Sequence, residues 1–119
     1  FGKDALTDKP ARFFVTEIIR EKILLDYDKE IPYSTEVIVE KFDEKGTSIH
    51  IMAVVYVERD SQKGIIIGRG GAMLKKVGTQ ARKDIEAFFG KRVFLEIFVK
   101  VEPNWRNREN KLRQFGYIE

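Results

Sequence analysis

The chain has 119 residues, with 22 lysines and arginines against 19 aspartates and glutamates, and 43% of its residues are hydrophobic. A chain of this length is expected to form one domain around a single core. It has no apolar run near the ~20 residues that a membrane-spanning helix needs, and it has no cysteine, which excludes disulfides and thiolate chemistry. With one histidine, His50, and no catalytic spacing of carboxylates or nucleophiles, we expect a binding domain without metal or cofactor.

The first predicted element is a helix. Thr7 or Asp8 is suited to cap it, and Pro10 fits its first turn, where the missing N–H costs no hydrogen bond. Apolar residues then recur at helical spacing to about Asp26. These residues are Ala11, Phe14, Val15, Ile18, Ile19 and Leu25. The Ile-Pro pair at residues 31–32 is expected to end the helical region.

Two strands joined as a hairpin are predicted next. Residues 35–42 are rich in β-branched side chains, residues 43–47 (DEKGT) are typical of a turn, and residues 49–58 form a second, longer strand. Both sets of alternating residues in the second strand are largely apolar, so we expect one face to be buried and the other to be largely covered. His50 is then a strand residue without a chemical role.

The second half of the chain predicts two helices separated by glycines, then a last strand. Ser61 is suited to cap a short helix that reaches Ile67. A second helix follows the glycines and stops at Gly90. Its apolar stripe consists of Met73, Leu74, Val77, Ala81, Ile85 and Phe88. Alternating apolar residues then run from 93 to 101, and residues 107–115 are predicted to form a short C-terminal helix.

The predicted order is therefore helix, strand, strand, short helix, glycine loop, helix, strand. One sheet with helices packed on one face would bury these apolar stripes, which is an α+β architecture. Parallel pairing of the second and third strands is allowed, because about thirty residues and two helices separate them.

The net charge of +3 is unevenly distributed. Residues 59–83 carry seven basic residues and one acidic residue, a balance of +6, whereas the rest of the chain has 15 basic and 18 acidic residues, a balance of −3. This concentration of positive charge is typical of a surface that binds a polyanion. The alternative is a solvated helix face, since lysine and arginine are common on exposed helices.

The basic segment contains the sequence GIIIGRGGAMLKKVG at residues 64–78, with three glycines within four positions. A plain turn between helices is one interpretation, although a single glycine normally suffices. A dinucleotide-binding loop would need glycine instead of Met73 and a preceding strand, and a Walker loop would need a Lys-Ser or Lys-Thr pair after the glycines. The third interpretation is a G-x-x-G loop, from Gly68 to Gly71, whose backbone N–H groups and following helix N-terminus contact nucleic-acid phosphates.

Several separated stretches resemble a known family. The pattern IIGRGGAML at residues 66–74, on this element order, resembles a type II K-homology (KH) domain, which implies a three-stranded mixed sheet with helices on one face. The stretches TDKPARFFVTEIIREKIL, EIPYSTEV, GTQARKDIEAFF, LEIFVKVEPNWR and LRQFGYIE are similar to the C-terminal domain of bacterial Era-type ribosome-assembly GTPases. One departure is Gly70, where family members often carry a basic residue, so more of the charge at the loop is left to Arg69.

The resemblance implies a domain that binds single-stranded ribosomal RNA, specifically the 3′ end of small-subunit rRNA, during maturation of the small ribosomal subunit. The alternative is a KH-fold protein-interaction domain that does not bind RNA. The chain contains no P-loop, so we expect it neither to bind nor to hydrolyse GTP and assign that activity to an N-terminal GTPase domain of the parent protein.

The domain boundaries and location are also expectations. Because the chain begins with Phe1, we expect a piece of a longer protein, with residues 1–6 a linker remnant and residues 7–119 the KH domain, monomeric in isolation. The implied location is the bacterial cytoplasm. Peripheral association of the parent with the inner face of the cell membrane is left open.

The predicted RNA-binding residues lie in the basic segment. Phosphates are expected along the glycine loop and its basic neighbours, and bases against the apolar side chains that flank the loop. The predicted set is Lys63, Ile66, Ile67, Gly68, Arg69, Gly70, Gly71, Leu74, Lys75 and Lys76. Phe94 and Phe98 are left out, because aromatics on alternate strand positions usually pack beneath a helix.

Overall fold

The computed structural model describes residues 3–27, 31 and 35–103. Its elements are α1 (Lys3–Asp26), β1 (Thr35–Lys45), β2 (Ser48–Val57), α2 (Asp60–Ile67), a 3₁₀ turn (Arg69–Gly71), α3 (Ala72–Phe89) and β3 (Arg92–Val101). This order is the α+β arrangement that the sequence predicts for a type II KH domain. The predicted C-terminal helix over residues 107–115 lies outside the described residues.

The three strands form one mixed sheet in the order β1-β2-β3. β1 pairs antiparallel with β2, and β2 pairs parallel with β3 from Ser48↔Arg92 to Val57↔Val101. The parallel pairing that the sequence allowed is therefore present. The hairpin turn is shorter than predicted, because residues 43–45 continue the β1 ladder and only Gly46 and Thr47 remain as the turn.

The core lies between the sheet and the long helices. Alternate residues of β2 are buried as predicted, and they meet the buried faces of α1 and α3. This core includes Ile49, Ile51, Ala53, Val55 and Val57 from β2, Val15, Ile19 and Ile23 from α1, and Val77, Ala81 and Ile85 from α3. The periodicity of the sequence therefore identifies the faces of the elements that build the site.

Helix α1 begins earlier than predicted. It starts at Lys3, so Pro10 lies inside the helix and the predicted caps at Thr7 and Asp8 are wrong. An interior proline removes one backbone donor and crowds the carbonyl four residues earlier, and α1 nevertheless continues through Pro10. None of the described helices is long and apolar enough to cross a membrane.

Helices α1 and α3 are joined by an ion pair and a ring stack. Lys22 Nζ lies 2.6 Å from Asp84 Oδ2, and this hydrogen bond is the main reason that the pKa of Lys22 is raised. The rings of Phe14 and Phe88 stack with centroids 3.9 Å apart. Phe88, predicted in the buried stripe of α3, is instead 62% exposed at the edge of this contact.

Candidate nucleic-acid interface

The glycine loop makes a tight connection between α2 and α3. The Gly68 N–H donates to the Gly64 carbonyl at 2.9 Å and closes α2, and the Gly71 N–H donates to the Gly68 carbonyl at 3.2 Å across the 3₁₀ turn. Helix α3 starts at the next residue, Ala72. The loop therefore presents its backbone directly beside the N-terminus of a long helix.

Gly68 is the position where the loop tolerates no side chain. Its backbone has φ +76° and ψ 177°, a region almost restricted to glycine. A Cβ there would lie 2.7 Å from Met73 Cγ and 2.9 Å from the Met73 backbone nitrogen. Gly70 also has a positive φ, +61°, but a Cβ there would meet open space. The outer surface of the loop at Gly70 is thus bare backbone, open to a ligand.

The N-terminus of α3 suits a phosphate. Its N-cap, Gly71, provides no side-chain hydrogen bond, and the first turn of α3 contains no acidic residue. The first N–H groups of a helix lack partners within the helix, and its dipole places positive charge there. The exposed Arg69 precedes this helix end, so backbone donors and a cation lie together.

A groove of about 370 Å³ runs between α3 and β3, starting at the loop. Its lining residues are Gly71, Leu74, Lys75, Gly78, Thr79 and Arg82 of the loop and α3, and Leu95 and Ile97 of β3. A Cβ at Gly78 would lie 3.8 Å from Ile97 Cδ1, so this glycine keeps the space between helix and strand open. The groove thus combines an apolar floor with basic and polar side chains on one wall.

Glu86 contacts Arg82 at the far end of this groove. Its Oε2 accepts from the backbone N–H of Val93 at 2.9 Å, and its Oε1 accepts from Arg82 Nη1 at 2.9 Å. The Val93 N–H is the main reason that the pKa of Glu86 is lowered, and Arg82 acts in the same direction. An ionised carboxylate therefore connects the end of α3 to the start of β3.

The end of α1 lies behind the glycine loop. The Tyr27 hydroxyl donates to the Ile66 carbonyl at 2.5 Å, and burial raises the pKa of Tyr27 to about 12, with Asp26 adding to the effect. The Asp26 side chain is 8% exposed, and its Oδ1 lies 3.8 Å from Lys76 Nζ. Residues 26 and 27 thus contact the chain on both sides of the loop.

The predicted RNA-binding residues do not all lie at the groove. Leu74 and Lys75 line the groove beside the loop. The prediction that Ile66 contacts bases is wrong, because its side chain is 1% exposed and belongs to the core rather than to a groove floor. Ile67 is partly buried against the same core, and Lys63, also partly buried, lies on α2 and does not line the groove.

Lys76 lies on a different side of α3 from the groove. Successive residues of an α-helix are rotated by about 100°, so Lys75 and Lys76 cannot share a narrow face. Lys75 lines the groove, whereas Lys76 pairs with Asp26 at the end of α1. Neighbouring lysines in the sequence therefore have different surroundings.

Sequence reasoning missed the farther part of the groove. The missed residues are Gly78, Thr79, Arg82, Leu95 and Ile97. The missed residues of α3 could have been predicted, because they recur every three to four residues after Gly71 and therefore share one face of the helix. The placement of two aromatics was wrong, since Phe94 and Phe98 lie on the sheet face opposite the helices, 47% and 45% exposed, and Phe94 stacks on His50 with ring centroids 4.8 Å apart.

In the described part of the chain, no cluster of three or more histidine, aspartate or glutamate side chains could hold a metal ion. Backbone N–H groups and a cation at the loop, beside a groove with apolar side chains, suit phosphates at the loop and bases along the groove.

Comparisons with known proteins show the family of this chain. A family model described as KH domain matches residues 30–106, more than half of the chain. The chain belongs to the KH domain family. It is also similar to a solved structure of an Aquifex aeolicus Era variant bound to GDP·AlF₄⁻, with 37% identity and a TM-score of 0.83 over 89% of this chain.

A second similar structure contains RNA. Era in complex with MgGDPNP and nucleotides 1506–1542 of 16S ribosomal RNA matches with the same identity of 37%, the same TM-score of 0.83 and the same 89% coverage of this chain. In both comparisons the match covers 36% of the Era chain. The chain thus spans about a third of the length of the Era proteins it matches.

Proposed function

We propose that this chain is the RNA-binding domain of an Era-type GTPase and that it binds the 3′ end of small-subunit rRNA as a single strand, during maturation of that subunit. The observation that carries the proposal is the position of the glycine loop at one end of the groove between α3 and β3. Era itself has been solved with a 16S rRNA fragment, which supports the same class of ligand here. GTP binding and hydrolysis belong to the rest of the parent protein.

The dimensions of the groove suit a short single strand. From Gly71 to Arg82 the helix rises through eleven residues, roughly 16 Å at about 1.5 Å each. A KH groove holds about four nucleotides, with the G-x-x-G loop on the backbone and the bases in the groove. Phosphates at the loop would meet backbone N–H groups, Arg69 and Lys75. Bases would lie against Leu74 and the strand residues Leu95 and Ile97.

A charge reversal in the loop tests the proposal. Arg69→Asp with Gly70→Asp places negative charge where phosphates are expected, and Arg69→Asn with Gly70→Asn is the matched control of nearly equal shape. Anisotropy titrations use a labelled single strand copying the rRNA 3′ end at two salt concentrations, because phosphate contacts make affinity depend steeply on salt. We expect the aspartate variant to bind at least about tenfold more weakly, ~1.4 kcal/mol, and the asparagine variant to lose less.

The same titration separates RNA binding from the alternative. A folded aspartate variant that binds like wild type would remove the loop from the site. A wild-type chain that binds no single-stranded RNA at low salt would instead favour a KH-fold protein-interaction domain.

A further inference from the structure

Arg82 occupies the end of the groove away from the glycine loop. It lines the groove, and its side chain is 38% exposed. Its Nη1 donates to Glu86 Oε1 at 2.9 Å, while the other oxygen of Glu86 is held by the Val93 N–H at 2.9 Å. The guanidinium is therefore oriented by a carboxylate that is itself fixed to β3.

The position of Arg82 separates it from the phosphate contacts at the loop. It lies eleven residues beyond Gly71, roughly 16 Å along the helix axis and three turns away on the same face. A strand of about four nucleotides that starts at the loop would bring one of its last bases to this point. Across the groove, the side chains of Leu95 and Ile97 are apolar. Among the described lining residues the charged side chains are Lys75, beside the loop, and Arg82, which is the one at this end.

The chemistry of the guanidinium restricts which base fits. Arginine has five N–H donors in a planar fork, and one of them is given to Glu86. A fork of donors matches two adjacent acceptors in the plane of a base. Guanine presents O6 and N7 in this way, and cytosine presents O2 and N3 on its Watson–Crick edge. Adenine places its N6 amino donor beside the acceptor on both its Watson–Crick and its Hoogsteen edge, and uracil places N3–H between O2 and O4, so neither offers two adjacent acceptors to the fork.

We propose that Arg82 is the specificity-determining residue of the groove and selects a base with two adjacent acceptors, cytosine or guanine, over adenine and uracil. Glu86 is the positioning residue that holds the fork in plane with the base. This inference rests on the proposed function, because it concerns the same groove and the same single strand.

The test compares base preference in wild type and in Arg82→Lys, which keeps the charge and loses the planar fork. The RNA is a single-stranded decamer copying the rRNA 3′ end, with each position replaced in turn by the other bases. Wild type is expected to show one position where cytosine or guanine binds at least about tenfold more tightly than adenine or uracil, as a bidentate contact provides. Substitution by 7-deazaguanosine there distinguishes the two bases, since it removes the N7 acceptor of guanine only.

In Arg82→Lys we expect that preference to fall below about threefold, while preferences at other positions and the salt dependence stay as in wild type. Arg82→Gln is a second variant that lacks both charge and fork. Glu86→Gln retains Arg82 but holds it less firmly, so the same preference should fall partly. Lys83→Gln, on an exposed neighbour outside the groove, is the matched control and should leave the preference unchanged.

Two results would overturn the inference while leaving the proposed function intact. One is an unchanged preference in folded Arg82→Lys. The other is an equal loss of affinity for every sequence, which would make Arg82 a phosphate contact. Failure of wild type to bind any of the single strands would instead contradict the proposed function itself, so the two failures are distinguishable.

Discussion

The hydroxyl of Tyr27 and the backbone carbonyl of Ile66, 39 residues apart in sequence, are joined by a hydrogen bond of 2.5 Å. Ile66 lies in the last turn of α2, where carbonyls have no partner within the helix. The end of α1 therefore satisfies a backbone group immediately before the glycine loop. This contact links the first helix of the chain to the proposed phosphate site.

The Tyr27–Ile66 contact has a pH signature. Unfolded tyrosine ionises at about pH 10, whereas burial raises the pKa of Tyr27 in the folded chain to about 12. Between these values the unfolded chain releases a proton that the folded chain keeps, so stability falls as pH rises. We expect Tyr27→Phe to be less stable by ~1 kcal/mol at neutral pH and to lose less stability from pH ~10 to 12.

Urea denaturation of both chains at pH 7, 10 and 11 measures this effect. Lys22, whose pKa is also raised, is present in both chains and contributes equally. Parallel stability curves for wild type and Tyr27→Phe would show that the hydroxyl has no such role.

The glycines of the loop differ in what they require. Gly68→Ala combines a nearly glycine-only backbone conformation with a Cβ 2.7 Å from Met73 Cγ, so we expect a loss of at least ~2 kcal/mol in the free energy of unfolding. Gly70→Ala is the matched control, with a positive φ and open space, and should lose only ~1 kcal/mol. Chemical denaturation measures both, and equal losses would mean that the contact with Met73 relaxes freely.

The sequence predicts the fold better than it predicts the site. Strong periodicity identifies β2, α3 and β3 and their buried faces, because burial on one side imposes a regular pattern of apolar residues. Ile66 is one of three consecutive isoleucines beside the loop, and its position in the sequence could not show whether it faces the core or the groove. The structure places it in the core. Arg82 and Ile97 meet only when α3 packs beside β3, a contact that depends on tertiary structure rather than on local spacing.

Neighbouring lysines provide a second matched pair. Lys75 lines the groove, so Lys75→Ala should flatten the dependence of log affinity on log salt by roughly one unit, as for one lost phosphate contact, with thermal stability unchanged. Lys76→Ala should leave that slope unchanged and lower the melting temperature, because it leaves the largely buried Asp26 without its cation. Reversed results for the two variants would exchange these roles.

Gly78 tests whether bases occupy the groove. Gly78→Ala adds a methyl at ordinary contact distance from Ile97 and should stabilise α3 by up to ~1 kcal/mol, since alanine favours helix over glycine. Gly78→Leu fills the space between helix and strand, and we expect affinity for single-stranded RNA to fall at least about tenfold. RNA titrations on the two folded variants provide the measurement. Wild-type affinity in Gly78→Leu would place the bases elsewhere.

The most direct test of the central claim is the affinity of the chain for one RNA segment, unpaired and annealed to its complement, in matched salt. A groove with an apolar floor accepts bases that are already unstacked, and extracting them from a duplex costs a few kcal/mol. We expect the unpaired 3′ end of small-subunit rRNA to bind at least about tenfold more tightly than the duplex. Equal affinity for the two forms would contradict the account, because the basic segment would then be a nonspecific charged face and the glycines a simple turn.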